Sequence, residues 1–209
     1  LCYNLSMIIG ICGFIGSGKD TVANYLVDKH NYQRDSFAGA LKDAVASIFG
    51  WDRQLLEGAT PEAREWREQV DAWWAERLNM PELTPRWVLQ YWGTEVCRKS
   101  FHNDIWIASL EHRLLQQDSD IVISDVRFPN EVEVIKKAGG KVWWVQRGAL
   151  PEWYPQGMLA SNGYEDAVKQ LEEQNVHISE WAWLQTVFDL VLNNNSTVNH
   201  LYSKISSRL

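Results

Sequence analysis

Residues 13–19, Gly13-Phe14-Ile15-Gly16-Ser17-Gly18-Lys19, set the strongest constraint on how this chain can fold. They follow the apolar run Met7-Ile8-Ile9-Gly10-Ile11-Cys12 and open into a helical pattern from Thr21 to Lys29. A strand feeding a glycine-spaced loop, which in turn feeds a helix, aims several backbone N–H groups and the positive end of a helix dipole at one point. That point holds a phosphate, and the Gly-x4-Gly-Lys spacing is that of a nucleotide-binding loop. Asp20 occupies the place where a Ser or Thr hydroxyl normally meets Mg²⁺, with Thr21 one position later. Gly13, Gly16, Ser17, Gly18, Lys19, Asp20 and Thr21 are therefore the candidate triphosphate residues. The competing reading is a Gly-rich turn with a solvated Lys19.

Five short runs have strand character: Met7–Cys12, Tyr32–Phe37, Ile121–Ser124, Lys141–Gln146 and Phe188–Leu192. Helical patterns separate them, and that alternation forces parallel strands joined by crossovers. The expected fold class is α/β with a five-stranded parallel sheet, a single domain over residues 7–209 carrying insertions. Residues 1–6 precede a natural-looking start at Met7, lack the basic and apolar segments of a signal peptide, and are expected to lie outside the fold. Within 51–86, Thr60-Pro61 and Thr84-Pro85 each place an N-cap before a proline, so two helices should start there and the segment reads as a Trp-rich helical flap. A second excursion, 148–183, contains Pro151, Pro155, Gly157 and Asn162-Gly163 and then a helix over about 164–174.

Composition narrows the function. A formal charge of −7 argues against a surface that tracks a phosphate backbone, so stable nucleic-acid binding is not expected. No apolar run approaches the length of a membrane span. The three cysteines, Cys2, Cys12 and Cys97, have no metal-ligand spacing and fit a reducing cytoplasm. The twelve tryptophans read mainly as packing, because an indole buries a large area and needs one hydrogen-bond partner.

Ile121-Val122-Ile123-Ser124-Asp125 is an apolar strand ending in a carboxylate, a form suited to holding Mg²⁺ directly or through water. Arg127 follows at the carboxyl end of that strand, where ligands of open α/β sheets gather and a guanidinium can clamp phosphate oxygens. A structural pairing of Arg127 with Glu131 or Asp125 is the alternative. Lys42 lies near a helix start, an unfavourable place for a cation unless an anion is present. Arg86 and Gln90 stand four apart on one helix face, able to meet a phosphate and a base edge, and Arg98 is four beyond Thr94. Solvated side chains are the rival reading for all four. Arg147, with His177 to Glu180, belongs to a segment that could close over ATP.

Gly16-Ser17-Gly18-Lys19-Asp20-Thr21, Phe37-Ala38-Gly39 with Lys42-Asp43, Leu89-Gln90 with Gly93-Thr94-Glu95, Asp125-Val126-Arg127 and His177-x-Ser179-Glu180 together resemble the deoxynucleoside monophosphate kinases of tailed phages. The likeness runs over most of the chain from Met7 onward and is weakest in the flap. It implies a P-loop kinase fold with strand order 2-3-1-4-5, a flap at 51–86 that holds the monophosphate, and a lid at 148–183. It implies ATP as phosphate donor, Mg²⁺ as cofactor and a deoxynucleoside monophosphate as partner, in the cytoplasm, which is that of the host if a phage encodes it. On that reading Lys19 serves the β- and γ-phosphates, and Asp20, Thr21 and Asp125 serve Mg²⁺ or its waters, Asp20 alternatively orienting the acceptor. Arg127 serves the transferring or acceptor phosphate, with Lys19 and Asp20 its catalytic companions. Lys42, Arg86, Gln90 and Arg98 serve the monophosphate, and Arg147 the ATP side. A P-loop kinase for another phosphorylated small molecule and a non-catalytic nucleotide switch remain as alternatives, and the oligomeric state is open, a homodimer included.

Overall fold

The computed structural model describes residues 7–209; the expectation for residues 1–6, and Cys2 with them, lies outside the described residues. In chain order the elements are β1 (Ile8–Cys12), α1 (Lys19–His30), β2 (Gln33–Asp35), α2 (Gly39–Phe49), α3 (Arg53–Glu57), α4 (Pro61–Glu68), α5 (Ala72–Leu78) and α6 (Pro85–Tyr91). A π-helical segment (Trp92–Phe101) precedes α7 (Ile105–Leu114), β3 (Ile121–Ile123), α8 (Pro129–Lys137), β4 (Lys141–Gln146), α9 (Tyr154–Ser161), α10 (Glu165–Glu173), β5 (Leu190–Asn193) and α11 (Val198–Ser206). Two compact units result: residues 7–37 together with Leu110–Leu209, and Ala38–Ser109.

The first unit is built on a parallel sheet in the order β2-β3-β1-β4-β5, the expected topology. β1 is central, Ile9 lying between Val122 of β3 and Lys141 of β4. All five β1 residues are buried, which is why the sequence there is continuously apolar and not alternating. Ile9, Ile11, Val22, Leu26, Val122 and Trp143 form the centre of this unit's core, fixing α1 against the sheet below the loop.

β2 and β5 differ from the expected bounds for reasons that are local. β2 ends at Asp35 because the Asp35 carboxylate accepts the Ser36 N–H at 2.7 Å, and the Phe37 N–H turns to Asp125 Oδ1 at 3.0 Å. β5 starts at Leu190 because Asp189 takes both Val142 groups, accepting its N–H at 2.7 Å and donating to its carbonyl at 2.8 Å. Phe188, expected in that strand, packs instead on Trp144 and Trp183. Helix α9 was not expected from its Pro155 and Gly157. Pro155 falls in the first turn, where its missing N–H costs nothing, and Gly157 lets Trp153 and Leu184 approach to about 3 Å of where a Cβ would stand.

The second unit is helical. Thr60 and Thr84 cap α4 and α6 as expected, their hydroxyls accepting from Ala63 N–H at 3.2 Å and Trp87 N–H at 3.1 Å. Two further helices, α3 and α5, form where Asp52 and Asp71 accept from Gln54 and Trp74 N–H groups. Leu41, Val45, Phe49, Trp51, Leu56 and Val88 make its core. The indoles find partners: Trp51 donates to Asp71, Trp74 to the Phe49 carbonyl and Trp106 to the Gly93 carbonyl. Among the described residues no helix is long and apolar enough to cross a membrane.

Candidate active site

The loop between β1 and α1 is shaped to take an anion. Gly13 has φ +153° and a Cβ there would stand 2.6 Å from the Val145 carbonyl oxygen; Gly18 has φ +99° and its Cβ would collide with the Asn194 amide. Neither position accepts a side chain without strain. The Ser17 hydroxyl is buried and has no hydrogen-bond partner among the described residues, although its own backbone is fixed on both sides. The Ser17 N–H donates to the Phe14 carbonyl, and the Ser17 carbonyl accepts from Asn194 Nδ2 at 2.9 Å. A buried hydroxyl left unsatisfied inside a rigid glycine loop is what a phosphate-oxygen acceptor would complete.

Lys19 lies over this loop, its ammonium donating to the Gly13 and Phe14 carbonyls at 2.7 and 2.9 Å. Burial, and then the neighbouring Arg127 guanidinium, depress its pKa to about 8, while Glu180 and Asp20 oppose the shift. The ammonium is thus destabilised until an anion arrives.

Arg127 sits just past β3, and its place is set by the buried Glu131, which accepts the backbone N–H groups of Arg127 and Phe128 at 2.7 and 3.1 Å. The guanidinium pairs with Glu180 at 2.6 Å. Glu180 belongs to the 148–183 segment, as does His177, whose Nδ1 lies 2.9 Å from the Ser179 hydroxyl. That segment reaches the loop through aromatics: Phe14 contacts Trp153, Tyr154 and Trp183 at ring separations of 5.2–6.2 Å. A pocket of about 80 Å³ opens beside Phe14, lined also by Gln146, Arg147, Gly148, Asn193 and Asn195.

Asp20, Thr21 and Asp125 offer a carboxylate, a hydroxyl and a second carboxylate for Mg²⁺. Among the described residues no three His, Cys, Asp or Glu side chains cluster as a metal cage. That donor set fits Mg²⁺, which is commonly held by one or two carboxylates with substrate phosphates and water completing its shell. Asp20 is engaged by a residue that sequence reasoning missed, Arg34 on β2, which also donates to Ser124 Oγ at 2.7 Å and Asn24 Oδ1 at 3.0 Å. Asn194 was missed likewise; the Asn193-Asn194-Asn195 run after β5 was its one visible signal.

In the helical unit, Lys42 is paired with Glu57 at 2.7 Å on the first turns of α2 and the end of α3. Burial opposes ionisation of Glu57, yet the Lys42 ammonium and the Arg53 guanidinium hold its carboxyl down at about 2. Arg86 on α6 pairs with Glu68 at 2.9 Å, and Gln90 follows one turn later, partly buried. Arg98 is on the π-helical segment, 7% exposed, and donates to the Asn103 carbonyl at 3.2 Å. Arg86 and Gln90 therefore share a helix face, while Arg98 is turned inward.

A β2-β3-β1-β4-β5 parallel sheet with a lysine-ended glycine loop after β1 defines a P-loop kinase fold. No family model matches the chain. It is 30% identical over 182 residues to the deoxynucleoside-5′-monophosphate kinase of Escherichia phage T5, an alignment covering 64% of this chain and 73% of that protein. It is 29% identical over 215 residues to the "Putative deoxynucleotide monophosphate kinase" of Acanthamoeba polyphaga mimivirus, covering 96% of this chain and 95% of that one. Among solved structures, a dephospho-CoA kinase from Campylobacter jejuni aligns over 97% of this chain and 95% of its own, with a TM-score of 0.46 and 15% identity. The chain belongs to the deoxynucleoside monophosphate kinase family.

Proposed function

We infer that this chain transfers the γ-phosphoryl group of ATP to a deoxynucleoside 5′-monophosphate, giving a diphosphate for DNA precursor synthesis. The observation that carries the reading is the loop itself: a buried Ser17 hydroxyl without a partner among the described residues and a Lys19 whose charge is disfavoured by burial, over glycines that admit no side chain, in a chain of this family. The acceptor phosphate is anionic near neutral pH, so in-line attack needs no strong base. Alignment and charge stabilisation supply the acceleration.

Lys19 leaves the Gly13 and Phe14 carbonyls for the β- and γ-phosphate oxygens and regains a stable ammonium there. The Ser17 hydroxyl and the N–H groups of residues 16–19 hold the rest of the phosphate tail. Arg127 exchanges part of its bond to Glu180 for an oxygen of the transferring group, where negative charge concentrates. Mg²⁺ would be held by Asp20, Thr21 and Asp125, directly or through water, and would supply neutralisation of the phosphate charge. Lys42 on α2, Arg86 and Gln90 on α6, and Arg98 on the π-helical segment serve the acceptor, with the insertion at 51–86 holding the monophosphate. Residues 148–183 act as a lid that excludes water, with Arg147 on the ATP side, and the reaction takes place in the cytoplasm.

The test is ADP release measured with Mg·ATP against a panel of deoxynucleoside, ribonucleoside and non-nucleoside monophosphates. Acceptor-dependent turnover with at least one deoxynucleotide is expected. In the same assay Arg86→Ala and Gln90→Ala should raise KM for the monophosphate about tenfold or more and leave KM for ATP near its wild-type value. Equal changes in both constants would remove these residues from the acceptor site.

A further inference from the structure

We propose that Arg34 is a positioning residue for catalysis: it neutralises Asp20 and holds its carboxylate toward the β2–β3 side of the sheet, so that an aspartate can stand in the first turn of the phosphate-binding helix. The proposal rests on the phosphotransfer reading above for its kinetic consequences and on the first unit's own geometry for its cause.

Three observations converge. Arg34 occupies the middle of the edge strand β2, opposite Val122 of β3, so its side chain starts from a fixed piece of backbone. Its guanidinium spans three acceptors from two other elements: Asp20 and Asn24 on successive turns of α1, and Ser124 immediately after β3. A fork with donors in one plane can bridge three acceptors at once, which an ammonium cannot do with the same geometry. The Asp20 side chain is 69% exposed and that of Arg34 37%, so without the bridge the carboxylate would be free to rotate.

The chemistry explains why such a bridge is needed. Asp20 directly follows Lys19, and a loop that binds a polyanionic triphosphate is a costly place for an uncompensated carboxylate. Left unbound, Asp20 would either repel the phosphates or pair with Lys19, and the Asp20 charge already acts on Lys19. Arg34 removes both alternatives by drawing the carboxylate aside to a partner anchored on β2 and Ser124. The same contact keeps the first turn of α1 registered to the carboxyl end of β3, where Asp125 and Arg127 lie.

The experiment is a double-mutant cycle on the full chain: wild type, Arg34→Ala, Asp20→Asn and the two together, read by calorimetry for Mg·ATP affinity and by turnover across a magnesium titration. Arg34→Ala alone is expected to weaken Mg·ATP binding about tenfold or more and to shift the magnesium dependence of kcat. In the Asp20→Asn background the same substitution should change affinity less than about threefold, because the charge it compensated is gone. Arg34→Lys should restore only part of the loss. An equal loss in both backgrounds would overturn the proposal and make Arg34 a direct phosphate ligand or a purely structural residue. If Arg34→Ala does not fold, Arg34→Lys carried through the same cycle decides the matter. Wild-type material that binds Mg·ATP but phosphorylates no monophosphate would defeat the functional reading while leaving the calorimetric cycle to judge Arg34.

Discussion

At the scale of single residues, Lys19 concentrates the account. On the proposed role its ammonium meets the developing charge, and its contacts are to the loop carbonyls and not to the core, so Lys19→Ala should lower kcat by about two orders of magnitude or more with a melting temperature close to wild type. A folded Lys19→Ala protein with near-normal turnover would refute the role. The pKa of Lys19 adds a pH signature. Because burial and Arg127 lower it to about 8, and the protonated form is the one that binds phosphate, kcat/KM for ATP should be flat below that pH. Above it, the constant should fall about tenfold per pH unit. With ATP bound the ammonium is stabilised again, so the fall in kcat should move to higher pH; coincident profiles would show that Lys19 does not meet the triphosphate. The loop carrying Lys19 was legible in the sequence because one spacing rule contains it, and Asp20 stood out as the departure from that rule. Arg34 and Asn194 could not, since their roles depend on β2 and the segment after β5 coming beside α1, a tertiary fact that no local pattern encodes.

At the scale of elements, caps and turns explain both what the sequence revealed and what it concealed. Thr60-Pro61 and Thr84-Pro85 announce α4 and α6 because the cap and the proline act within four residues. Asp52 and Asp71 perform the same capping for α3 and α5 without a proline beside them, and those two short helices went unread. In α9, Pro155 and Gly157 concealed a helix that begins ahead of the one expected at about 164–174, although they occupy positions a helix tolerates. Thr84→Ala tests how far α6 positions the acceptor residues. Losing the cap should cost about 1 kcal/mol and, because Arg86 lies in the first turn it stabilises, should raise KM for the monophosphate while KM for ATP stays constant. A change in the ATP constant instead would separate α6 from the acceptor.

At the scale of the whole molecule, the alternation of apolar runs with helical stretches was enough to predict the parallel sheet, because β1 and β3 are buried throughout and β4 buries its Val142, Trp143 and Val145 centre. The edge strands were harder to bound: an aspartate captures a backbone N–H group at one limit of each, Asp35 where β2 ends and Asp189 just before β5 starts. Leu26, wholly buried between α1 and the sheet, is the place to test the stability side. Leu26→Ala should cost about 3 kcal/mol in denaturant unfolding, and a loss under about 1 kcal/mol would mean the loop-bearing helix is not held by this core. The claim on which all of this turns is that the phosphate loop delivers the γ-phosphoryl group of ATP to a deoxynucleotide. Chromatographic analysis of nucleotides after incubating the protein with Mg·ATP and each deoxynucleoside monophosphate tests it most directly. The account predicts equimolar ADP and deoxynucleoside diphosphate with at least one acceptor and neither product with Lys19→Ala. ADP formed with no diphosphate, or no ADP at all from folded wild-type protein, would contradict it.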